Sequence, residues 1–179
     1  MGIPQPPPPC KLIAGLLGAA DGLLDEAALA LADRFGPIDG RSEATAWIAT
    51  SYYANEMGTA VRRQFLSFER LVPPDELVGI KHTTNALEAT WGGPNQRHVN
   101  IDPGYLTATK LVLASTKDAA HRVYLGSGIY AEVTLEFQHG SFRAGPHTYP
   151  DYAAPEVLAF FTAVRAAHLR ARRGATTCR

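Results

Sequence analysis

Apolar positions along the chain recur at two spacings, and the switches between them lay out its elements. The run KLIAGLLG (11–18) is apolar and ends on glycine, which predicts a buried strand. Behind Asp21, placed to cap, Leu24, Ala27, Ala28, Leu31 and Phe35 recur at helical spacing until Gly36-Pro37 stops the helix. EATAWIATSYY (43–53), rich in Thr, Ile, Trp and Tyr, predicts a strand. ANEMGTAV then reads as a loop or one helical turn. RQFLSFERL (63–71) is a further strand, with Phe65 and Ser67 facing opposite to Leu66 and Phe68. Pro73-Pro74-Asp75 opens a helix to about Trp91, striped by Leu77, Ile80, Thr84, Leu87 and Trp91. A last helix starts at Pro155, with Leu158, Phe161, Val164 and His168 on one stripe.

The stretch GYLTATKLVLAST reads both ways. Leu106, Leu113, Tyr105 and Val112 fit a helix stripe, while its Thr and Val residues fit a strand. A short helix is the preferred reading, with Asp102 as cap, Pro103 at the first helical position and free amides able to meet an anion. Downstream, Ile129 to Phe137 alternates cleanly, and His121, Val123 and Leu125 alternate with Arg122 and Tyr124. Gly126-Ser127-Gly128 is a three-residue hairpin loop. Pairing Leu125 with Ile129 sets Tyr124 opposite Tyr130 and Arg122 opposite Glu132, with the other face apolar. An exposed Arg–Glu pair is worth ~0.2–1 kcal/mol, which is ordinary structural glue. The stretch is a hairpin first and a candidate site second.

Strands mixed with helices, without a strict βαβ rhythm, predict an α+β fold: an antiparallel or mixed sheet with helices packed mainly on one face. The order strand, helix, strand, strand, helix begins like a ferredoxin-like unit. The expected organisation is a Pro-rich leader (1–10), one globular domain (11–170) and a basic flexible tail (171–179).

Charge changes this picture little. Net charge is zero, which argues against nucleic acid as a partner of the chain as a whole. Residues 1–96 nevertheless carry 7 basic and 11 acidic side chains, against 10 and 6 in residues 97–179, so an anionic ligand fits the second half better. Cys10 and Cys178 make no disulfide framework, and the N-terminus has neither a basic nor an apolar signal region, so a cytoplasmic location is expected. No apolar run reaches the ~18–20 residues of a membrane span.

The chain has no P-loop and no dinucleotide fingerprint, and the spacing of its histidines supports no zinc site. The sequence leaves any cofactor unknown. VNIDPGYLTATKLVLASTKDAAHRVYLGSGIYAEVTLEF and TYPDY, with RFGPID, SYYANEMG and IKHTTNALE, are similar to the DUF4416 family of bacterial proteins of unknown function. The resemblance spans Lys11 to about Arg165 and implies one compact domain with no established activity. Positions that match the family's pattern include Tyr53, Glu56, Met57, Gly58, Lys81, Thr84, Asn85, Glu88, Asn100, Asp102, Lys110, Thr116, Lys117, His121, Arg122, Glu132, Tyr149 and Asp151. Of these, Lys81, Asn85 and Glu88 read as a solvated helix face, with Thr84 turned inward.

Two functional readings follow. In the preferred one a small anionic ligand, phosphorylated or nucleotide-like compounds included, is held by Lys81, Asn100, Lys110, Lys117, Arg122 and Tyr124. His121, Glu132 and Asp102 are its acid–base candidates. The alternative is a non-catalytic module that self-associates as a homo-oligomer or binds RNA through its basic C-terminal helix.

Overall fold

A computed structural model describes residues 2–47, 61–92 and 97–177. The elements in chain order are β1 (Cys10–Gly18), α1 (Asp21–Phe35), β2 (Ile38–Arg41), β3 (Thr45–Ala46), β4 (Arg62–Val72), α2 (Leu77–Glu88), β5 (Val99–Leu106), β6 (Lys110–Ser115), β7 (Val123–Gly126), β8 (Ile129–Gln138), β9 (Ser141–Ala144) and α3 (Pro155–Thr177). Single 3-10 turns flank α2 at Pro74–Glu76 and Ala89–Trp91.

The fold is α+β, a nine-stranded sheet in the order β2-β4-β1-β5-β6-β8-β7, with β3 added to β4 and β9 to β8. Every pair is antiparallel. Within it, β1-α1-β2-β4-α2-β5 forms the split βαβ arrangement that the order of elements anticipates, with β1 between β4 and β5. All nine residues of β1 are buried because both faces of the sheet are covered at that strand. Leu12, Ala14 and Leu16 pack with Leu24, Leu31 and Ile80 of α1 and α2. Ile13 turns the other way, with Phe65, onto Val157, Phe161 and Val164 of α3. Two of the three helices therefore share one face.

The segment 103–115 is a strand pair and not a helix. Leu106, Leu111 and Leu113 face α3, whereas Val112 and Ala114 face Leu77 of α2. A sheet covered on both sides needs apolar residues at adjacent positions, and that run mimics a helical stripe. Thr107 makes the turn, its Oγ1 accepting from the amides of Thr109 and Lys110, both at 3.1 Å. Gly104 is required here: a Cβ would stand 2.3 Å from the Val112 carbonyl oxygen. Asp102 consequently lies within β5 and caps nothing. Of the strand expected at 43–53, Thr45–Ala46 is seen and residues 48–53 lie outside the described residues.

The hairpin register also differs from expectation. Tyr124 pairs with Tyr130 as anticipated, but Gly126, not Leu125, meets Ile129. Gly126, Ser127 and Gly128 all have positive φ (122°, 51° and 78°), so the turn absorbs Leu125 as an extra residue. A second irregularity matters more. Leu111 pairs with Leu135 and Val112 with Val133, so Thr134 is an extra residue in β8. The bulge reverses the side-chain parity of the strand, turning Glu132 to the same face as Leu135 and leaving Val133 exposed.

One end of α3 is anchored by polar groups. Lys11 forms an ion pair with Asp39, and Ser67 Oγ donates to Asp39 Oδ1 at 2.7 Å. His168 is buried beside them. Burial, with Arg172 and Lys11 nearby, holds its imidazole below the usual histidine range. The unfolded chain, titrating near pH ~6.5, takes up this proton first, so stability falls as pH drops through that value towards the depressed one. Urea midpoints at pH 7 and pH 5.5 should therefore differ more for the wild type than for His168→Gln. An equal decline in the two proteins would contradict the assignment.

Candidate functional site

The sheet forks between β5 and β6. They pair only where Gly104, Tyr105 and Leu106 meet Leu113, Val112 and Leu111, so the first half of β5 stays on β1 and leaves β6. The backbone of Ile101 is satisfied at the fork by α2 instead of a strand: its N–H donates to Glu88 Oε1 at 2.7 Å, and its carbonyl accepts from Lys81 Nζ at 2.9 Å. Lys81 and Glu88 are thus buried, contrary to the solvated face expected of them, and stand 3.8 Å apart. Burial lifts the Glu88 carboxyl above its ordinary range despite Lys81, the Ile101 amide and Arg97. Thr84 is buried as expected, its hydroxyl donating to the Lys81 carbonyl at 3.0 Å.

On the α3 face of the same fork, Arg63 of β4 is 3% exposed. Its Nη1 lies 3.1 Å from Asp102 Oδ2, and its Nε stands 2.9 Å from Asp151 Oδ2, an ion pair without hydrogen-bond alignment. The guanidinium lies against the rings of both Phe65 and Tyr152, 4.7 and 4.9 Å from their centroids, and the two rings meet edge to face at 4.9 Å. Gly15 makes room for this stack: a Cβ there would fall 2.5 Å from the Tyr152 hydroxyl and 2.8 Å from Arg63 Nη2.

The electrostatics follow from that packing. Burial disfavours the charge of Arg63, but Tyr152, Asp151 and Asp102 hold it protonated above its ordinary value. Burial raises Asp102, yet Arg63, Lys81 and the neighbouring Asn100 amide outweigh it and hold the carboxyl below its usual range. The Tyr152 phenol is pushed well up by burial, with Asp102, Asp151 and Glu132 adding to the effect and Arg63 opposing it. Tyr152 is therefore a neutral hydroxyl amid four charges, fully buried and without a hydrogen-bond partner. Asn100 Nδ2 is likewise buried and without a well-aligned acceptor, while its Oδ1 accepts from Arg97 Nη1 at 2.7 Å.

Glu132, turned to this face by the bulge, accepts from Arg122 Nε at 2.8 Å and lies 3.0 Å from His121 Nε2. Arg122 also donates to the Lys117 carbonyl at 2.9 Å and to the Tyr149 hydroxyl at 2.8 Å. The His121 ring stacks on His147 at 4.2 Å. The segment 145–152 is thereby a strap across the site, fixed by His147, Tyr149, Asp151 and Tyr152. Thr148 folds it, its hydroxyl donating to the Thr134 carbonyl and accepting from the Gly145 amide.

The structure brings together Asn100, Asp102, His121, Arg122 and Glu132, and Lys117 joins through its carbonyl. Three other expected ligand residues stand apart. Lys81 is on the opposite face, Lys110 begins β6 opposite Glu136, and Tyr124 packs on Tyr130 at the sheet edge. Tyr53, Glu56, Met57 and Gly58 lie outside the described residues. Sequence reasoning missed Arg63, Gly15 and Tyr152. The available signal was an arginine inside the apolar run RQFLSF. Among the described residues no group of three His, Cys, Asp or Glu side chains is arranged to hold a metal ion, and no helix is long and apolar enough to cross a membrane.

Residues 8–168 match the model of a family described as a domain of unknown function, DUF4416. Neither a curated protein nor a solved structure matches the chain.

Proposed function

The chain belongs to the DUF4416 family, whose description assigns no activity, and we propose that it binds a small anionic ligand at the β5–β6 fork. The observation that carries this reading is the buried Tyr152 hydroxyl, which has no hydrogen-bond partner, next to Asn100 Nδ2, whose contact with the Asp102 carboxylate is poorly aligned. An unsatisfied buried donor costs about 1–3 kcal/mol, and an oxygen atom of a ligand would recover that energy. Arg122 adds a third donor once Tyr149 yields its place. Arg63 and Arg122 stand here among three carboxyl side chains, Asp102, Asp151 and Glu132, so a carboxylate or monophosphate meets less repulsion than a polyphosphate. His121, oriented by Glu132, is the acid–base group, and Asp102 is held ionised by Arg63. Bacterial cytoplasm is the setting this reading assumes, and the free, buried Cys10 thiol is compatible with it.

A thermal-shift panel of inorganic phosphate, nucleoside monophosphates and small carboxylates, with native mass spectrometry of the purified protein, tests the reading. At least one compound should raise the melting temperature of the wild type. Tyr152→Phe, which removes only the unsatisfied hydroxyl, should melt at or above the wild-type temperature and weaken that binding about tenfold or more. No shift together with no co-purifying ligand, or undiminished binding by Tyr152→Phe, would overturn it. The alternative, RNA binding through the C-terminal helix, has less support, because Arg165 is spent on packing. Its Nε donates to the Ala108 carbonyl at 2.6 Å and its guanidinium lies 3.4 Å from the centre of the Phe137 ring.

A further inference from the structure

We propose that the cavity between the end of α1, the end of β4 and the start of α2 binds a free α-amino acid with an apolar side chain. The cavity measures about 490 Å³, the size of a small-molecule site. Its floor is apolar, made by Phe35, Val72 and Ile80, which belong to the core beneath α1 and α2. Tyr152 belongs to the core on the other face of the sheet, so this cavity and the fork are separate sites.

Charge selects the class of ligand. Arg34 and Arg70 line the cavity together with Asp75 and Glu76, two charges of each sign. An anion would meet two carboxylates and a cation two guanidiniums, whereas a zwitterion finds an opposite charge for each of its ends. Arg70 and Glu76 stand 3.5 Å apart as an exposed ion pair. Arg34 and Asp75 have no side-chain hydrogen bond or ion pair among the described residues, so one charge of each sign is free. Arg34 takes the carboxylate of the amino acid, Asp75 its ammonium group, and the floor its side chain. Gly79 of α2 keeps the space open. Helices disfavour glycine, and neither a positive φ nor a close neighbour calls for one here: a Cβ would meet no atom within 4 Å.

Isothermal titration calorimetry should show leucine or phenylalanine binding at millimolar concentrations or below. Glycine has no side chain for the floor and should bind about threefold or more weakly. N-acetylleucine and leucine amide each lack one charge and should weaken by a similar factor, the scale set by exposed charges. Gly79→Leu, which fills the cavity without a clash, should abolish binding with an unchanged circular dichroism spectrum. Asp75→Asn should weaken leucine but leave N-acetylleucine as it was. Tyr152→Phe, on the other face, should bind leucine as the wild type does. No binding of either apolar amino acid, equal binding of the blocked compounds, binding that survives Gly79→Leu, an affinity for leucine unmoved by Asp75→Asn, or a loss in Tyr152→Phe would each overturn the proposal.

Discussion

Replacing Arg63 with methionine should cost about 3–5 kcal/mol of stability, because it strands two carboxylates that the guanidinium now compensates. For a chain of this size that corresponds to a melting temperature lower by roughly 6–20 °C. Methionine keeps most of the packing against Phe65 and Tyr152, so the loss reports the charge. Asp102 is 30% exposed and Asp151 16%, so water screens part of the effect and the lower end of the range is expected. The pH dependence gives a second readout. In the wild type Asp102 titrates below its ordinary value, so its contribution is present above about pH 3.8 and is lost as pH falls through the depressed value. Without Arg63 burial is opposed less, the carboxyl rises, and acidification narrows the gap between variant and wild type. Adding Asp102→Asn to Arg63→Met should restore part of the loss. Chemical denaturation of the two variants at pH 7 and pH 5 checks both statements. A loss under 1 kcal/mol would mean that solvent, and not Arg63, stabilises the carboxylates.

Several elements were legible in the residues. Residues 24–35 show a helical period, 63–71 a strand period, and Pro155 a helix start; each is seen. Errors fell where an apolar run fits both periods or where the chain shifts register. KLVLAS is apolar at consecutive positions because β6 is covered by α2 on one face and α3 on the other, and that run resembles a helix stripe. Thr134 carries no mark in the sequence of the bulge it makes, yet that one residue decides which face Glu132 occupies. The candidate site was half legible for the same reason. His121, Arg122 and Glu132 are neighbours in a hairpin, so local pattern finds them. Arg63, Gly15 and Tyr152 come from three distant segments and meet only through the register of β1 with β4 and β5 and through the strap. Lys81 and Glu88 misled for a different reason: a charged helix row ordinarily faces water, and here it substitutes for a missing strand.

That substitution makes Glu88→Ala the other costly change, at about 3–5 kcal/mol. The variant would lose the acceptor of the Ile101 amide and leave Lys81 buried without its counter-charge. Glu88→Gln should cost much less, because its amide oxygen still accepts from Ile101 N–H. The sign of the Glu88 shift sharpens the contrast. A carboxyl raised by burial holds its proton longer in the folded chain than in the unfolded one, so the wild type loses stability as pH rises from about 4.5 through the raised value. Glutamine has no proton to lose, and its deficit against the wild type should shrink over that interval. Urea midpoints between pH 4.5 and pH 7.5 for wild type, Gln and Ala measure this directly. Amide hydrogen exchange at Ile101 separates the two variants further, with fast exchange for Ala and near-native protection for Gln. If Ala and Gln proved equally mild, Ile101 would have to find water at the fork instead of α2. Asn100 and Asp102, one residue to either side on the opposite face, would then owe nothing of their placement to that helix.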